Sequence, residues 1–175
     1  MGDGNLIAVA DAGPFIHLAE VNCLPFLAVF THLHVPETVW SEILKQPQIA
    51  DADFSKATTV RRHDLSQDQV AKFIAENRLG ELHSGEQECL FLCKQIGASI
   101  LLTDDLATRE VAKQVNLTPV GSLGIVVRAY RAGRISLADA ERHLGELYEN
   151  SSLFVTRAIV ELAIEQLHNH KTQME

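Results

Sequence analysis

The chain has 175 residues, of which 46% are hydrophobic and 22% are charged, and these proportions fit one compact globular domain. No apolar run reaches the roughly 18 residues that a membrane-spanning helix needs, and the first residues lack the basic start of a secretory signal, so we expect a cytoplasmic protein without membrane contact. The formal net charge of −8 argues against broad electrostatic attraction to nucleic acid, unless several acids share one pocket in which a divalent cation reverses the local field.

Short apolar runs alternate with segments of helical periodicity along most of the chain. The predicted strands lie at residues 6–10, 32–35, 58–63, 99–103 and 118–120. The predicted helices lie at residues 15–30 (two short helices), 36–44, 66–77, 84–96, 106–115, 123–132, 137–149 and about 153–168. Ser66, Ser136 and the pair Ser151-Ser152 are predicted helix caps. Residues 46–56 are polar and aperiodic, so we expect a mobile surface loop there.

Alternating strands and helices predict a three-layer α/β/α sandwich with a mostly parallel central sheet of four to five strands. One domain would span residues 1–175, with a core at about 6–133 and a C-terminal helical extension at 136–168. The apolar sides of the last two helices can cover the sheet or form a dimer seam, and we expect a homodimer. Ligands of such sheets bind beyond the carboxyl ends of the strands.

Acidic residues occupy the places where that rule puts a ligand. Asp11 ends the first strand, and Asp104 and Asp105 follow the fourth. Glu42 and Glu86 lie in helices that would pack beside them. Carboxylates this close repel one another, and a hard divalent cation is the usual compensation. Such an ion can position a water molecule and neutralise charge on a phosphate, so the pattern predicts phosphodiester hydrolysis.

Each acid also has an ordinary structural interpretation. Asp104 or Asp105 could cap the following helix, and Glu86 and Glu88 could complement a helix N-terminus. Glu42 on its own is typical of a solvated residue. Only the joint pattern favours a metal site.

Several arginines could contact the backbone phosphates of a nucleic acid bound at the acidic residues. The candidates are Arg109, Arg128 and Arg131. The alternative is that they form a solvated helix face.

Four short segments carry a resemblance to a known family. They are DAGPFIHL at residues 11–18, VPETVWSE at 35–42, HSGEQE at 83–88 and LLTDD at 101–105. In this order and at these separations they resemble the PIN-domain family, in particular a bacterial branch often found as the toxin-like partner in toxin–antitoxin pairs. The resemblance covers about residues 6–133.

The resemblance implies an Mg²⁺- or Mn²⁺-dependent endoribonuclease with an RNA substrate and a small antitoxin protein as partner. The implied catalytic residues are Asp11, Glu42, Glu86 and Asp105. The implied metal ligands are Asp11, Glu42, Glu86 and Asp105, and Asp104 could substitute or assist. Asp11 and Asp105 would coordinate the metal directly, whereas Glu42 and Glu86 would coordinate through water or orient the attacking water. Thr103 would support the acidic cluster through its hydroxyl group.

One departure from the family follows the first acid. Relatives usually carry Ser or Thr there, whereas Ala12 and Gly13 stand in this chain, which removes a hydroxyl group near the expected metal. This leaves open a catalytically silent PIN-like module that binds RNA or a partner protein. A phosphoacceptor domain of the response-regulator kind is disfavoured, because its acidic pair comes early in the chain and this one comes late.

Overall fold

Five parallel strands form the centre of the computed structural model, which describes residues 6–50 and 58–174. The strands are β1 (Ile7–Ala10), β2 (His32–Pro36), β3 (Thr59–His63), β4 (Ile100–Leu102) and β5 (Thr118–Val120). Their order across the sheet is β3-β2-β1-β4-β5, and every neighbouring pair is parallel. The chain runs outward from β1 to β3 and then crosses back to β4, so the topology switches direction between the two central strands.

Helices flank this sheet. They are α1 (Ala12–Glu20), α2 (Glu37–Ile43), α3 (Pro47–Ala50), α4 (Gln67–Asn77), α5 (Ser84–Ile96), α6 (Leu106–Gln114), α7 (Ser122–Arg131), α8 (Leu137–Asn150) and α9 (Arg157–Met174), with a 3-10 helix at Leu24–Val29. Helix α5 contacts β1, β2 and β4, and α4 rests on α5. Helix α1 contacts α2, α3 and α7. The predicted α/β/α sandwich with a parallel sheet is therefore confirmed.

The central strands are short because their apolar runs stop at polar residues. Ala8, Val9 and Ala10 are fully buried, as is typical of a parallel strand covered on both faces. The hydrogen-bond ladder continues one step beyond the apolar runs, since the Asp11 amide donates to the Leu102 carbonyl at 2.9 Å. Asp11 and the residues after β4 therefore reach the same edge of the sheet.

Two predicted segments differ from the structure. Residues 46–56 were expected to be a loop, but Pro47–Ala50 forms α3, and Ile49 in this turn is 2% exposed. Burial of one apolar side chain orders a turn that is too short to show periodicity. The rest of that predicted loop, residues 51–56, lies outside the described residues.

The last helix begins later than predicted. Residues 151–152 were expected to cap it, but the amide and hydroxyl groups of Ser152 both donate to one carboxylate oxygen of Glu20, at 2.7 and 3.0 Å. This contact with α1 holds Ser152 outside the helix, and α9 starts at Arg157. Helices α8 and α9 make their main contacts with α7 and with each other. None of the described helices is long and apolar enough to cross a membrane.

A pair of leucines in α9 tests whether this helix belongs to the same folding unit as the sheet. Leu167 is fully buried, whereas Leu162 is 57% exposed. We predict that Leu167→Ala lowers the free energy of unfolding by about 2–5 kcal/mol, because it leaves a cavity, while Leu162→Ala changes it by less than about 0.5 kcal/mol. Urea unfolding followed by circular dichroism measures both. If Leu167→Ala changed the free energy of unfolding as little as Leu162→Ala does, α9 would not be part of the cooperative core.

Candidate functional site

The site lies where the carboxyl ends of the central strands meet the first turns of several helices. Asp11 precedes α1, Asp105 precedes α6, and Glu86 lies in the first turn of α5. Glu42 approaches from α2. Glu86 is buried and Asp11 is half-buried with its carboxyl group largely enclosed, whereas Glu42 and Asp105 are exposed. The acids therefore form a cluster with a buried floor and a solvent-exposed rim.

Three of these acids are fixed through one oxygen each. Oδ1 of Asp11 accepts a hydrogen bond from the amide of the next residue at 2.8 Å. Oδ1 of Asp105 accepts from the amide and the hydroxyl of Thr108, at 2.7 and 2.9 Å. Oε2 of Glu86 accepts from the amide of His83 at 2.9 Å.

Asp105 is thus the helix cap that the ordinary interpretation allowed, but capping uses only one of its oxygens. Asp11 and Glu86 likewise accept a backbone hydrogen bond through one oxygen only. In the described part of the chain, the second oxygen of each of these carboxylates accepts no hydrogen bond, so one oxygen per acid is available to a ligand.

Electrostatic repulsion within the cluster is visible at Asp11. The pKa of this carboxyl is raised to about 6, mainly by burial and in smaller part by the charges of Glu86, Glu42 and Asp105, against the opposing effect of the hydrogen bond from the Ala12 amide. The charges of the other three acids that the sequence marked as catalytic therefore act on Asp11 in the folded chain.

The donor chemistry of the cluster fits a hard divalent cation, because every available atom is a carboxylate oxygen. The positions of the side chains fit such an ion less well. Within residues 6–50 and 58–174, no group of three or more His, Cys, Asp or Glu side chains is already arranged to hold a metal ion. Binding would require the acids to draw together by side-chain rotation.

Asp104 has a different environment from the cluster. Its Oδ2 lies 2.8 Å from Nδ1 of His17 and accepts from the Ser122 hydroxyl at 2.6 Å, while its Oδ1 accepts from the Ser122 amide at 2.7 Å. A Cβ atom at Gly121 would lie 2.6 Å from Oδ1, so glycine lets the backbone approach this carboxylate. Because both oxygens are engaged, we leave Asp104 out of the ligand set proposed below.

Thr103 and Arg109 complete the surroundings of the site. Thr103 is fully buried, and its hydroxyl oxygen lies 3.3 Å from the amide of Asp105, from which it accepts. Its support for the cluster therefore passes through the backbone. The Arg109 guanidinium donates to the Thr103 carbonyl at 3.1 Å, which places this predicted RNA-binding residue beside the acids.

The other two predicted RNA-binding residues lie further along α7. At a rise of about 1.5 Å per residue, Arg128 and Arg131 are about 9 and about 14 Å beyond Ser122 along the helix axis. The Arg128 guanidinium stands over the Phe30 ring, 6.0 Å from its centre, and burial and the charge of Arg131 lower its pKa. The structure therefore brings Arg109 to the acids and leaves this pair at a distance.

Sequence reasoning missed the environment of Asp104. It assigned no role to His17 and did not single out Gly121 or Ser122. A Gly-Ser pair directly after β5 was an available signal, because it stands at the carboxyl end of a strand and at the start of a helix.

The raised pKa of Asp11 gives a stability prediction. The folded pKa of about 6 lies above the ordinary value of 3.8, so the charged carboxylate destabilises the fold above pH 6 and the penalty is relieved as the pH falls towards 4. We predict that Asp11→Asn raises the free energy of unfolding of the metal-free chain at pH 8 by up to about 3 kcal/mol, and by less at pH 5.

Urea unfolding in EDTA at the two pH values measures this difference. Asp139→Asn is the matched control, since hydrogen bonds from Ser136 and Arg142 lower the pKa of this exposed Asp. Its replacement is expected to give no stabilisation at pH 8. A destabilised Asp11→Asn variant at pH 8 would contradict the electrostatic account.

Comparison with known proteins gives one long match. No curated protein is similar enough to the chain to count as a match. A family model described as DUF3368, PIN domain, matches residues 7–169. This range includes all five strands and the acids at their carboxyl ends, and it extends into α9. The chain therefore belongs to the PIN-domain family.

Proposed function

We propose that this chain is an Mg²⁺- or Mn²⁺-dependent endoribonuclease. PIN domains are generally nucleases, so a nuclease-like fold is the starting point for this chain. The observation that supports the proposal is the state of Asp11, a largely buried carboxyl whose pKa is raised to about 6 by burial and by three other acids. An arrangement that destabilises its own charge is typical of a functional site, and a divalent cation would relieve it.

The proposed ligands are the available oxygens of Asp11, Glu86 and Asp105, with Glu42 at the rim contributing through water. A bound ion would supply charge neutralisation and a water molecule of lowered pKa. The first turns of α1, α5 and α6 hold the other oxygen of each ligand, so the three carboxylates are oriented before an ion or substrate arrives. In the hydrolysis, the water oxygen bonds to phosphorus as a bridging P–O bond breaks, and no nucleophilic side chain is required.

RNA is the proposed substrate, and the arginines are the proposed phosphate contacts. Arg109 stands beside the acids and would meet the phosphates nearest the scissile bond. Arg128 and Arg131 would contact the strand further along α7. Because the chain carries a net charge of −8, binding should depend strongly on the metal ion and on these few cations.

The wider role that we propose is that of the toxin in a toxin–antitoxin pair, acting in the cytoplasm as a homodimer. The family resemblance supports this role. Exposed apolar side chains at the C-terminal end, Phe154 at 94% and Leu162 at 57% exposure, offer surface that an antitoxin protein or a second copy could cover.

A catalytically silent module is the second candidate. It is favoured by the absence, among the described side chains, of a ready-made group of three metal ligands and by Ala12-Gly13 in place of a hydroxyl residue. In that case the fold would bind RNA or a partner protein without cleaving it.

Cleavage of a labelled single-stranded RNA in Mn²⁺ separates the two candidates. We predict metal-dependent cleavage by the wild-type chain and its loss in EDTA. Asp11→Asn and Asp105→Asn should each reduce the rate by roughly 10²-fold or more, because each removes a charged ligand. Asp139→Asn, an Asp near the start of a helix outside the cluster, should retain the wild-type rate.

Calorimetric titration with Mn²⁺ supports the assignment independently of activity. The enzyme should bind one ion, and Asp11→Asn should abolish that binding. A wild-type chain that neither binds Mn²⁺ nor cleaves RNA would favour the silent module.

A further inference from the structure

Asp104 holds an imidazole ring in a fixed orientation beside the acidic cluster. Its carboxylate receives two hydrogen bonds from Ser122, which is fully buried, and lies 2.8 Å from Nδ1 of His17. A carboxylate can only accept, so Nδ1 of His17 carries the hydrogen and donates it. This fixes the ring and leaves Nε2 as the atom that can exchange a proton.

The ring lies between the two chain segments that carry the proposed ligands. A Cβ atom at Gly13 would lie 3.6 Å from Cε1 of His17 and 3.8 Å from Oδ2 of Asp104. Gly13 is two residues after Asp11, and Asp104 directly precedes Asp105. The His17 ring and the Asp104 carboxylate therefore both lie against the segment that follows Asp11.

Nε2 of His17 has no hydrogen-bond partner in the part of the chain that the structure describes. The His17 side chain is 16% exposed and that of Asp104 is 11% exposed, so the pair is mostly shielded from solvent while part of the ring remains accessible. An imidazole that is oriented by a carboxylate through Nδ1 and open at Nε2 is the arrangement that general acid–base catalysis uses.

We propose that His17 is a catalytic residue that donates a proton from Nε2 to the leaving oxygen of the phosphodiester. The inference rests on the proposed nuclease function. As the water oxygen bonds to phosphorus, the electron pair of the breaking P–O bond goes to the bridging oxygen, which takes the Nε2 proton. The proton lost by the water passes to solvent, and neutral His17 is reprotonated from solvent. Asp104 and Ser122 are positioning residues for the ring.

The same contacts would also fit a purely structural role, because they join α1 to the start of α7. His17→Asn separates the two roles, since the Asn amide places a donor near the position of Nδ1 and removes Nε2. A structural role predicts similar small effects of this variant on every substrate. A proton donor predicts an effect that depends on the leaving group.

The experiment compares an RNA oligonucleotide with a nucleoside p-nitrophenyl phosphodiester, both in Mn²⁺. The p-nitrophenolate group leaves without taking a proton. We expect His17→Asn to lower kcat by about 10²-fold or more on RNA and by less than about tenfold on the aryl ester. Asp104→Asn should follow the same pattern. His168→Asn replaces a histidine that pairs with Glu141 outside the site and should match the wild-type on both substrates.

Two results would overturn the inference while leaving the proposed function intact. In the first, the wild-type chain cleaves both substrates, Asp11→Asn abolishes cleavage, and His17→Asn cleaves both at the wild-type rate. In the second, His17→Asn lowers kcat by the same factor on both substrates. A wild-type chain that cleaves neither substrate would overturn the proposed function and this inference together.

Discussion

Repulsion among carboxylates at one edge of the sheet is the constraint on which the account of this protein depends. Parallel strands β1 and β4 end side by side; Asp11 directly follows β1, and Asp104 and Asp105 follow β4 after Thr103. Three helices begin at the same place, and an amide in the first turn or directly before it donates to one oxygen each of Asp11, Glu86 and Asp105. The positive ends of these helices offset part of the repulsion. Burial, together with the repulsion that is not offset, raises the pKa of Asp11.

The adjacent acids Asp104 and Asp105 serve different purposes for a geometric reason. The backbone of Asp105 is extended before it enters α6, and successive side chains of extended backbone point in opposite directions. Asp105 therefore turns towards its own helix and the cluster. Asp104 turns towards Ser122 and His17, where both of its oxygens are engaged. One pair of like residues thus supplies a proposed metal ligand and an orienting group.

Much of this fold was predictable from the sequence because its signals are local. Apolar runs indicated the strands, their alternation with helices indicated a parallel sheet, and the acids after the first and fourth runs indicated the edge at which they meet. The capping and metal-binding interpretations of Asp105 could not be separated in sequence, since the residue caps α6 with one oxygen and leaves the other available. Both interpretations produce the same pattern of residues.

The features that the sequence did not reveal depend on contacts between distant residues. His17 and Asp104 are 87 residues apart, so neither side chain indicates the other. The late start of α9 depends on the bond between Ser152 and Glu20, which are 132 residues apart. Helix α3 is a single turn ordered by the burial of Ile49, and a turn of this length carries no periodicity.

The central claim is that the acidic cluster closes around one divalent cation. An anomalous difference map from a crystal of the wild-type chain soaked in Mn²⁺ tests it most directly, because the ion itself is located. The account predicts a single strong peak within coordination distance of Asp11, Glu86 and Asp105, with the contacts of Asp104 to His17 and Ser122 unchanged. A map without a peak at this edge of the sheet, or with Mn²⁺ bound only by surface acids elsewhere, would contradict it.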